Sequence, residues 1–264
     1  MFPVRRNGFR AAAFAGALLL ALVALAVVPW SPNQAGSATA DAGALKPPPA
    51  PLFDVVVPQV RAAAHRRPRK GETPIAILRR PSALFTKPGG KRFAKLARRS
   101  EFGSPRVLAV IGRRGGWLRV LAKELPNNRS AWIPASAARL EATPWALRAD
   151  VSKREVVVLK RGKVVRRFGA TMGGASTPTP TGRFAVTDKI LYRNAAGPYG
   201  CCALALTGHQ PRLPAGWPGG DRLALHATPG ARGTMSHGCL RADTADASWV
   251  VRRVLLGSVM TIRR

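Results

Sequence analysis

The sequence predicts a mainly β protein with one packed α-helix, preceded by a long apolar segment at the N-terminus. Three observations support this fold class. Short apolar runs separated by glycine- and proline-containing turns fill residues 73–141. Two apolar runs flank the pair Arg161-Gly162, a pattern typical of a β-hairpin. Residues 243–256 show the clearest helical spacing of apolar side chains.

The N-terminus predicts export. Arg5, Arg6 and Arg10 precede an apolar run from Ala11 to Trp30, which at about 1.5 Å per residue is long enough to cross a bilayer core of about 30 Å. The positive flank favours the cytoplasmic side. We expect residues 1–30 to be a cytoplasmic tip and a single-pass signal anchor. The small residues Ala38-Thr39-Ala40 keep open the alternative of cleavage and secretion.

Residues 31–72 are predicted to be a Pro/Arg-rich linker. The stretch Lys46–Pro51 favours a stiff, extended polyproline conformation, and residues 61–70 form a basic run beside the membrane. A linker of this kind suits a protein that must reach polymer beyond its own membrane.

The charge of the chain indicates a polyanionic partner. Lys and Arg number 43 against 12 Asp and Glu, a formal net charge of +31. Nucleic acid is the usual first candidate, and an anionic membrane or wall polymer is an equal one once export is expected. The apolar N-terminus and the Pro-rich linker argue against specific nucleic-acid binding. A bias of genome composition toward arginine is the remaining alternative.

Residues 73–141 are predicted to be a small β module. The runs read as strands are Pro74–Leu78, Arg106–Ile111, Trp117–Val120 and Ala131–Ile133. The segments Gly116-Trp117-Leu118-Arg119-Val120 and Ala131-Trp132-Ile133-Pro134 resemble bacterial SH3-like barrels. This resemblance implies either a module that binds wall peptide or polysaccharide, or a spacer without a ligand.

Residues 145–264 are predicted to carry the chemistry. Strands 155–160 and 163–168 form the hairpin, and residues 182–187 form another strand, with Phe184 and Val186 alternating against Arg183 and Ala185. In the helix, Asp243 is placed as the N-cap and Gly257 as the terminator. The apolar stripe consists of Ala247, Val250, Val251, Val254 and Leu255.

A thiol loop, Ser236-His237-Gly238-Cys239, follows a strand that ends on His226. A thiol is a strong nucleophile only as a thiolate, and an imidazole can take its proton. We therefore predict Cys239 as the nucleophile and His226 as the general base, with the Ala227 carbonyl orienting the imidazole. His237 is predicted to support the loop, with the base role as its alternative.

These motifs resemble the L,D-transpeptidases, which have the YkuD-type catalytic domain. The residues that carry the resemblance are His226, Ser236–Arg241, Thr177–Phe184, Pro198–Gly200 and Gly257–Ile262. The resemblance implies a β-sandwich domain with one helix, in a bacterial enzyme. It also implies a cysteine acyltransferase that forms 3→3 cross-links between peptidoglycan stem peptides and releases D-alanine, without metal or cofactor. Water as the acceptor would make it an L,D-carboxypeptidase.

Several other residues are assigned to the same site. The backbone N–H groups of Gly238 and Cys239 are predicted to form an oxyanion hole, and the dipole of the nearby helix is expected to lower the thiol pKa. Arg241 is expected to pair with a substrate carboxylate. Tyr199 is predicted to contact the substrate. Ser236 is predicted to contact the substrate and to form local hydrogen bonds within the turn.

The three cysteines do not form a disulfide framework, because their odd number leaves at least one free thiol. The adjacent pair Cys201-Cys202 suits a packed pair or a vicinal disulfide better than a zinc site. The alternatives to a transpeptidase are a cysteine peptidase, a non-catalytic wall-binding protein and a nucleic-acid-binding protein.

Overall fold

The computed structural model describes residues 53–55, 68–217, 219–228 and 236–264. The predicted signal anchor, its alternative cleavage site and most of the predicted linker lie outside these residues. Within the described ranges, no helix has the length and apolar character that a membrane crossing requires. The described elements are mainly strands with one α-helix, as the sequence predicts.

The N-terminal sheet contains seven antiparallel strands. They are β2 (Thr73–Leu78), β3 (Ser82–Phe85), β4 (Arg92–Leu96), β5 (Val107–Arg114), β6 (Trp117–Leu121), β7 (Ala131–Pro134) and β8 (Ala138–Thr143), in the order β4-β3-β7-β6-β5-β2-β8. Buried leucines, alanines and valines fill its core. The sequence indicated β2, β5, β6 and β7, but not the short or polar strands β3, β4 and β8. The SH3-like identity of this sheet stays a prediction.

The C-terminal sheet contains β9 (Trp145–Asp150), β10 (Glu155–Lys160), β11 (Lys163–Thr171), β12 (Gly182–Tyr192), β13 (Cys202–His209), β14 (Arg222–Ala227), β15 (Leu240–Ala242) and β16 (Val259–Arg263). A short strand, β1 (Phe53–Val55), adds to the far half of β12. The order is β1-β12-β13-β14-β15-β11-β10-β9-β16, and β12 also pairs with β16.

The second pairing of β12 closes this sheet into a ring. The long strand pairs with β16 through residues 182–185 and with β13 through residues 186–191. The hydrogen-bonded strands therefore form a barrel-like sheet, where the sequence predicted the two separate layers of a sandwich. A bulge between Val186 and Asp188 accompanies the change of partner.

The predicted hairpin and helix are both present. Lys160 lies opposite Lys163, and Arg161 (φ 50°) and Gly162 (φ 78°) make the tight turn with the positive φ angles that such turns require. The helix α1 spans Thr244–Arg253, three residues shorter at its end than predicted. Asp243 occupies the N-cap position, although its side chain makes no capping hydrogen bond.

The alternation predicted for residues 182–187 is wrong at Ala185, which is 1% exposed. Ala185 packs with Val259 and with Ala109 and Leu121 of the N-terminal sheet. Nearby, the Thr143 and Ser258 hydroxyl groups lie 3.0 Å apart and share a hydrogen bond. The strand is buried on both faces because a second sheet covers the face expected to be exposed.

Candidate active site

Two adjacent parallel strands position the predicted nucleophile and base. In the pairing of β14 with β15, Leu225 lies opposite Leu240 and His226 lies opposite Arg241. Side chains alternate between the faces of a strand, so His226 and Arg241 share a face. Cys239 directly precedes β15, and its Sγ lies 3.8 Å from the carbonyl oxygen of Arg222 on β14. The structure thus brings Cys239, His226 and Arg241 to one region of the sheet.

The Cys239 thiol is protonated in this arrangement. Burial of the sulfur raises its pKa, and this effect outweighs the lowering by the Ala224 backbone and by the Arg241 charge. The net shift is therefore upward, and the expected lowering by the dipole of α1 stays a prediction. A protonated thiol needs a base at the moment of attack.

The His226 imidazole has the properties of that base. Its pKa is lowered to about 4, because burial, with a smaller contribution from the positive charge of Arg241, outweighs the opposing hydrogen bond to Ala227. The ring is therefore neutral at neutral pH. Nδ1 lies 2.9 Å from the carbonyl oxygen of Ala227, which accepts a hydrogen bond from the Nδ1–H group and orients the ring as predicted. This tautomer leaves the lone pair on Nε2.

The thiol loop is held by its own polar groups. The Ser236 hydroxyl accepts a hydrogen bond from the Gly238 N–H (3.0 Å) and donates one to the carbonyl oxygen of Cys239 (2.5 Å). This bears out the local bonding predicted for Ser236, whose side chain is buried in the loop. It also engages the Gly238 N–H, so Cys239 N–H is the remaining candidate of the predicted oxyanion pair.

A glutamine that the sequence analysis missed anchors this loop. Gln210, 5% exposed, donates from Nε2 to the carbonyl oxygens of Thr177 (3.3 Å), Pro178 (3.0 Å) and His237 (3.1 Å). Gly238 adopts φ +110°, and a Cβ there would lie 2.0 Å from Gln210 Nε2. Glycine is required at this position for both reasons.

The Thr-Pro segment completes the anchoring. The Thr177 hydroxyl donates to the Ser236 carbonyl oxygen at 3.1 Å, and the Thr179 hydroxyl accepts from the Gly173 N–H at 2.8 Å. Both threonines are buried. No short motif surrounds Gln210, whereas the repeated Thr-Pro pairs belong to one of the motifs that the sequence analysis identified.

A comparison with protein families matches residues 144–262 to YkuD, described as the L,D-transpeptidase catalytic domain. These residues form a YkuD domain. The match spans β9 to β16 and includes the thiol loop, the Thr-Pro segment and Gln210. No curated protein matches the chain.

Solved L,D-transpeptidases are distant neighbours of the chain. L,D-transpeptidase 3 from Mycobacterium tuberculosis, in complex with a faropenem-derived adduct, is 18% identical over 51% of this chain and 73% of that one, with a TM-score of 0.38. An enzyme from Mycobacterium smegmatis is 19% identical over 60% and 82%, with a TM-score of 0.36. One from Enterococcus faecium is 20% identical over 46% and 50%, with a TM-score of 0.33. These TM-scores are too low for the geometry of the site to be compared with that of the solved structures.

Two tyrosines of the YkuD domain extend the site beyond the imidazole. The Tyr199 ring meets His226 edge-on, with centroids 5.1 Å apart, and stacks on Tyr192 at 5.6 Å. Burial raises the pKa of both phenols. Both are therefore neutral. Tyr199 was predicted for the site, and Tyr192, at the end of β12, was not.

The remaining predicted residues lie at the edge of this group. The His237 side chain is exposed, its ring tilts against Trp217 with centroids 4.5 Å apart, and its carbonyl oxygen holds Gln210. These contacts suit the supporting role better than the base role. Cys201 and Cys202 form a vicinal disulfide, one of the two predicted alternatives, at the start of β13. Among the described residues, Cys239 is the free cysteine.

Proposed function

We propose that this chain is a peptidoglycan L,D-transpeptidase that forms 3→3 cross-links through a Cys239 acyl-enzyme. The observation that supports this most strongly is the neutral His226 imidazole on the strand beside the Cys239 thiol, in a domain of the YkuD family. The substrate lies outside the cytoplasm, so this function requires the export predicted from the N-terminus.

In the first half-reaction, Sγ of Cys239 attacks the carbonyl carbon between the third residue of a tetrapeptide stem and its terminal D-alanine. His226 Nε2 takes the thiol proton as the S–C bond forms. The C–N bond then breaks, the proton passes from His226 to the departing amine, and D-alanine leaves. The third residue of the stem remains on Cys239 as a thioester.

In the second half-reaction, an amine from a neighbouring stem attacks the thioester carbonyl. His226 takes a proton from this amine as the new C–N bond forms, and it returns the proton to the departing Cys239 sulfur. The product is a 3→3 cross-link. Water in place of the amine gives a free carboxylate, which is the L,D-carboxypeptidase alternative.

The remaining residues have roles in stabilising the charges that develop during the reaction. The positive Arg241 guanidinium lowers the pKa of both Cys239 and His226, so it favours thiolate sulfur and neutral imidazole. It is also suited to a stem carboxylate, which it can bind with two hydrogen bonds. We assign the stabilisation of the oxyanion of each tetrahedral intermediate to the Cys239 N–H.

Intact-mass spectrometry after incubation with imipenem tests the nucleophile. We expect a single adduct on the wild type and none on Cys239→Ala. His226→Gln should slow adduct formation by about 100-fold or more, since the thiol loses its base. An adduct on both the wild type and Cys239→Ala, or on neither, contradicts the assignment.

Product analysis with a disaccharide-tetrapeptide separates the alternatives. A cross-linked dimer with released D-alanine supports the transpeptidase, and a tripeptide alone supports the carboxypeptidase. Wall binding without any turnover supports the non-catalytic wall-binding protein.

A basic groove in the N-terminal sheet supports a second partner, an anionic wall polymer. The groove has a volume of about 590 Å³ and is lined by Arg80, Arg92 and Lys95 around Phe85, with no acidic side chain among its described lining residues. Three positively charged side chains around Phe85 are suited to bind a polymer that carries repeated phosphate or carboxylate groups.

Sedimentation with a phosphate-bearing wall polymer tests the groove. Replacing Arg80, Arg92 and Lys95 by serine should weaken binding by about tenfold or more. The same charge change at the exposed residues Arg69, Lys70 and Arg264 should have a smaller effect. Equal losses in the two triple variants, or stronger binding to anionic vesicles than to the polymer, would contradict a specific groove.

A further inference from the structure

One loop of the N-terminal sheet reaches the face of the YkuD domain that carries the site. It is the connection between β4 and β5, and we call residues 98–106 the bridging loop. Phe102 of this loop packs with Tyr192 against a small cluster formed by Ile190, Ala203 and Ala205. These residues lie on β12 and β13, so an aromatic side chain from one sheet covers part of the other.

Phe102 packs on the same face of the sheet as the proposed general base, His226. Ala203, in the cluster, lies opposite His226 in the pairing of β13 with β14. Tyr192 stacks on Tyr199, and Tyr199 meets the His226 ring. Phe102 therefore adds a third aromatic ring to the group formed by Tyr192 and Tyr199, on the face of the sheet that presents His226.

Polar contacts fix the bridging loop to the strands beside the thiol. The Ser100 hydroxyl donates to Asp188 on β12, and the Glu101 carboxylate forms an ion pair with Arg222 on β14. Arg222 also donates to the Thr187 hydroxyl at 2.7 Å. The carbonyl oxygen of Arg222 is the group against which the Cys239 sulfur lies, so the Glu101 contact reaches the strand that supports the nucleophile.

The bridging loop is also rigid in itself. The buried Arg106 guanidinium donates to the carbonyl oxygens of Ala97 and Arg99 and forms an ion pair with Glu124 at 3.1 Å. The backbone N–H groups of Phe102 and Ser104 donate to the Ser100 hydroxyl at 3.2 and 3.1 Å. These bonds fix the backbone of the bridging loop on both sides of Phe102.

We propose that Phe102 is a substrate-binding residue and that the bridging loop forms one wall of the stem-peptide site. This inference rests on the proposed function. The Phe102 side chain is half-buried, and it packs on the sheet face that presents Tyr192 and His226. Such an aromatic surface suits the alkyl side chains and flat amide groups of a stem peptide. The N-terminal sheet is then part of the active site, in addition to any role as a spacer or wall anchor.

Steady-state kinetics on the full chain with a tetrapeptide stem test this inference. Phe102→Ala should raise KM for the stem by about tenfold and leave kcat within about threefold, because the ring contributes binding rather than chemistry. Phe102→Leu keeps an apolar surface and should restore KM to within about threefold of the wild type. The matched control is Phe93→Ala, at an exposed phenylalanine on β4 of the same sheet.

The imipenem adduct separates failure of this inference from failure of the proposed function. If the wild type forms the adduct and turns over the stem, and Phe102→Ala and Phe93→Ala have the same KM, the role of Phe102 is wrong and the enzyme assignment stands. A Phe102→Leu variant that folds like the wild type but is as impaired as Phe102→Ala also overturns it. If the wild type neither forms the adduct nor acts on the stem, both proposals fail.

Discussion

The two sheets differ most in what they bury besides apolar side chains. Among the described residues, the buried polar and charged side chains number four in the N-terminal sheet and its loops and eleven in the YkuD domain. The first four are Ser104, Arg106, Glu141 and Thr143, and the others include Asp188, Lys189, Gln210, His226 and Ser236. Burying such groups is costly unless each is satisfied, so their concentration marks where the fold serves chemistry.

The exceptions in the N-terminal sheet sharpen this comparison. Ser104 and Arg106 belong to the bridging loop, and Thr143 shares its hydrogen bond with Ser258 of the YkuD domain. Three of the four buried polar groups therefore lie where the two sheets meet. Apart from Glu141, the N-terminal sheet therefore buries its polar groups near the YkuD domain.

The largest expected effect concerns the thiol loop. Gly238→Ala adds a Cβ at φ +110°, 2.0 Å from Gln210 Nε2, so either the loop or Gln210 must move. We expect turnover of a stem peptide to fall by about 100-fold or more, since small displacements of reacting groups are costly. The control is Gly116→Ala in the N-terminal sheet, where a Cβ meets nothing within 4 Å. Equal activity in the two variants would show that the loop does not need Gln210.

The second effect is the contribution of the buried His226 imidazole to the pH dependence of stability. The His226 pKa is lowered to about 4 in the folded chain, against about 6.5 when unfolded. The unfolded chain therefore binds the proton first as the pH falls. We expect the free energy of unfolding to fall by up to about 3 kcal/mol between pH 6.5 and 4, with no further loss below pH 4.

Denaturant unfolding of the wild type and His226→Gln at several pH values measures this term. The slope of the unfolding free energy against pH should differ between the two proteins only below pH 6.5, because the other histidines are common to both. Parallel curves would place the His226 pKa near its ordinary value. In that case kcat/KM would also lose activity near pH 6.5 rather than near pH 4.

The third effect tests the anchor of the thiol loop. Gln210→Leu leaves the carbonyl oxygens of Thr177, Pro178 and His237 without their buried donor. We expect a loss of about 2 kcal/mol in unfolding free energy, with an activity loss larger than global unfolding accounts for. Thermal unfolding and stem turnover, measured on the same preparation, check both parts. A destabilised protein with full activity would separate the anchor from the site.

The smallest effect is a gain in stability. Lys189 is 2% exposed, its ammonium donates to the carbonyl oxygen of Arg252 at 3.3 Å, and burial lowers its pKa to about 8. Lys189→Met should stabilise the protein by about 1 kcal/mol at pH 7, after allowance for solvent screening. The gain should shrink as the pH rises from 8 toward 10.5, because the buried lysine loses its charge there.

Lys163→Met is the matched control for this gain, since Lys163 is an exposed lysine in the β10–β11 hairpin of the same domain. Its unfolding free energy should stay within about 0.5 kcal/mol of the wild type. Loss of stability in Lys189→Met would mean that the bond to Arg252 outweighs the cost of burying the charge.

Local patterns predicted those parts of the fold that depend on neighbouring residues. The Arg161-Gly162 hairpin and the helix before Gly257 follow from backbone preferences of a few consecutive residues. The strand alternation failed at Ala185 because its environment is supplied by Ala109 and Leu121, far away in sequence. Gln210 carries no local signal for its role, because the carbonyl oxygens that its Nε2 binds lie more than 25 residues away along the chain.

By itself, the sequence determined the mainly β class, the thiol loop with its required glycine, and the pairing of a cysteine with a histidine at a strand end. The tertiary structure decided that the C-terminal strands close into a ring, that the thiol and the imidazole are both neutral, and that Phe102 from the N-terminal sheet packs on the sheet face that presents His226. The physical reason is that backbone conformation is set by adjacent residues, whereas burial, and with it pKa and substrate-contacting surface, is set by whichever distant segments pack together.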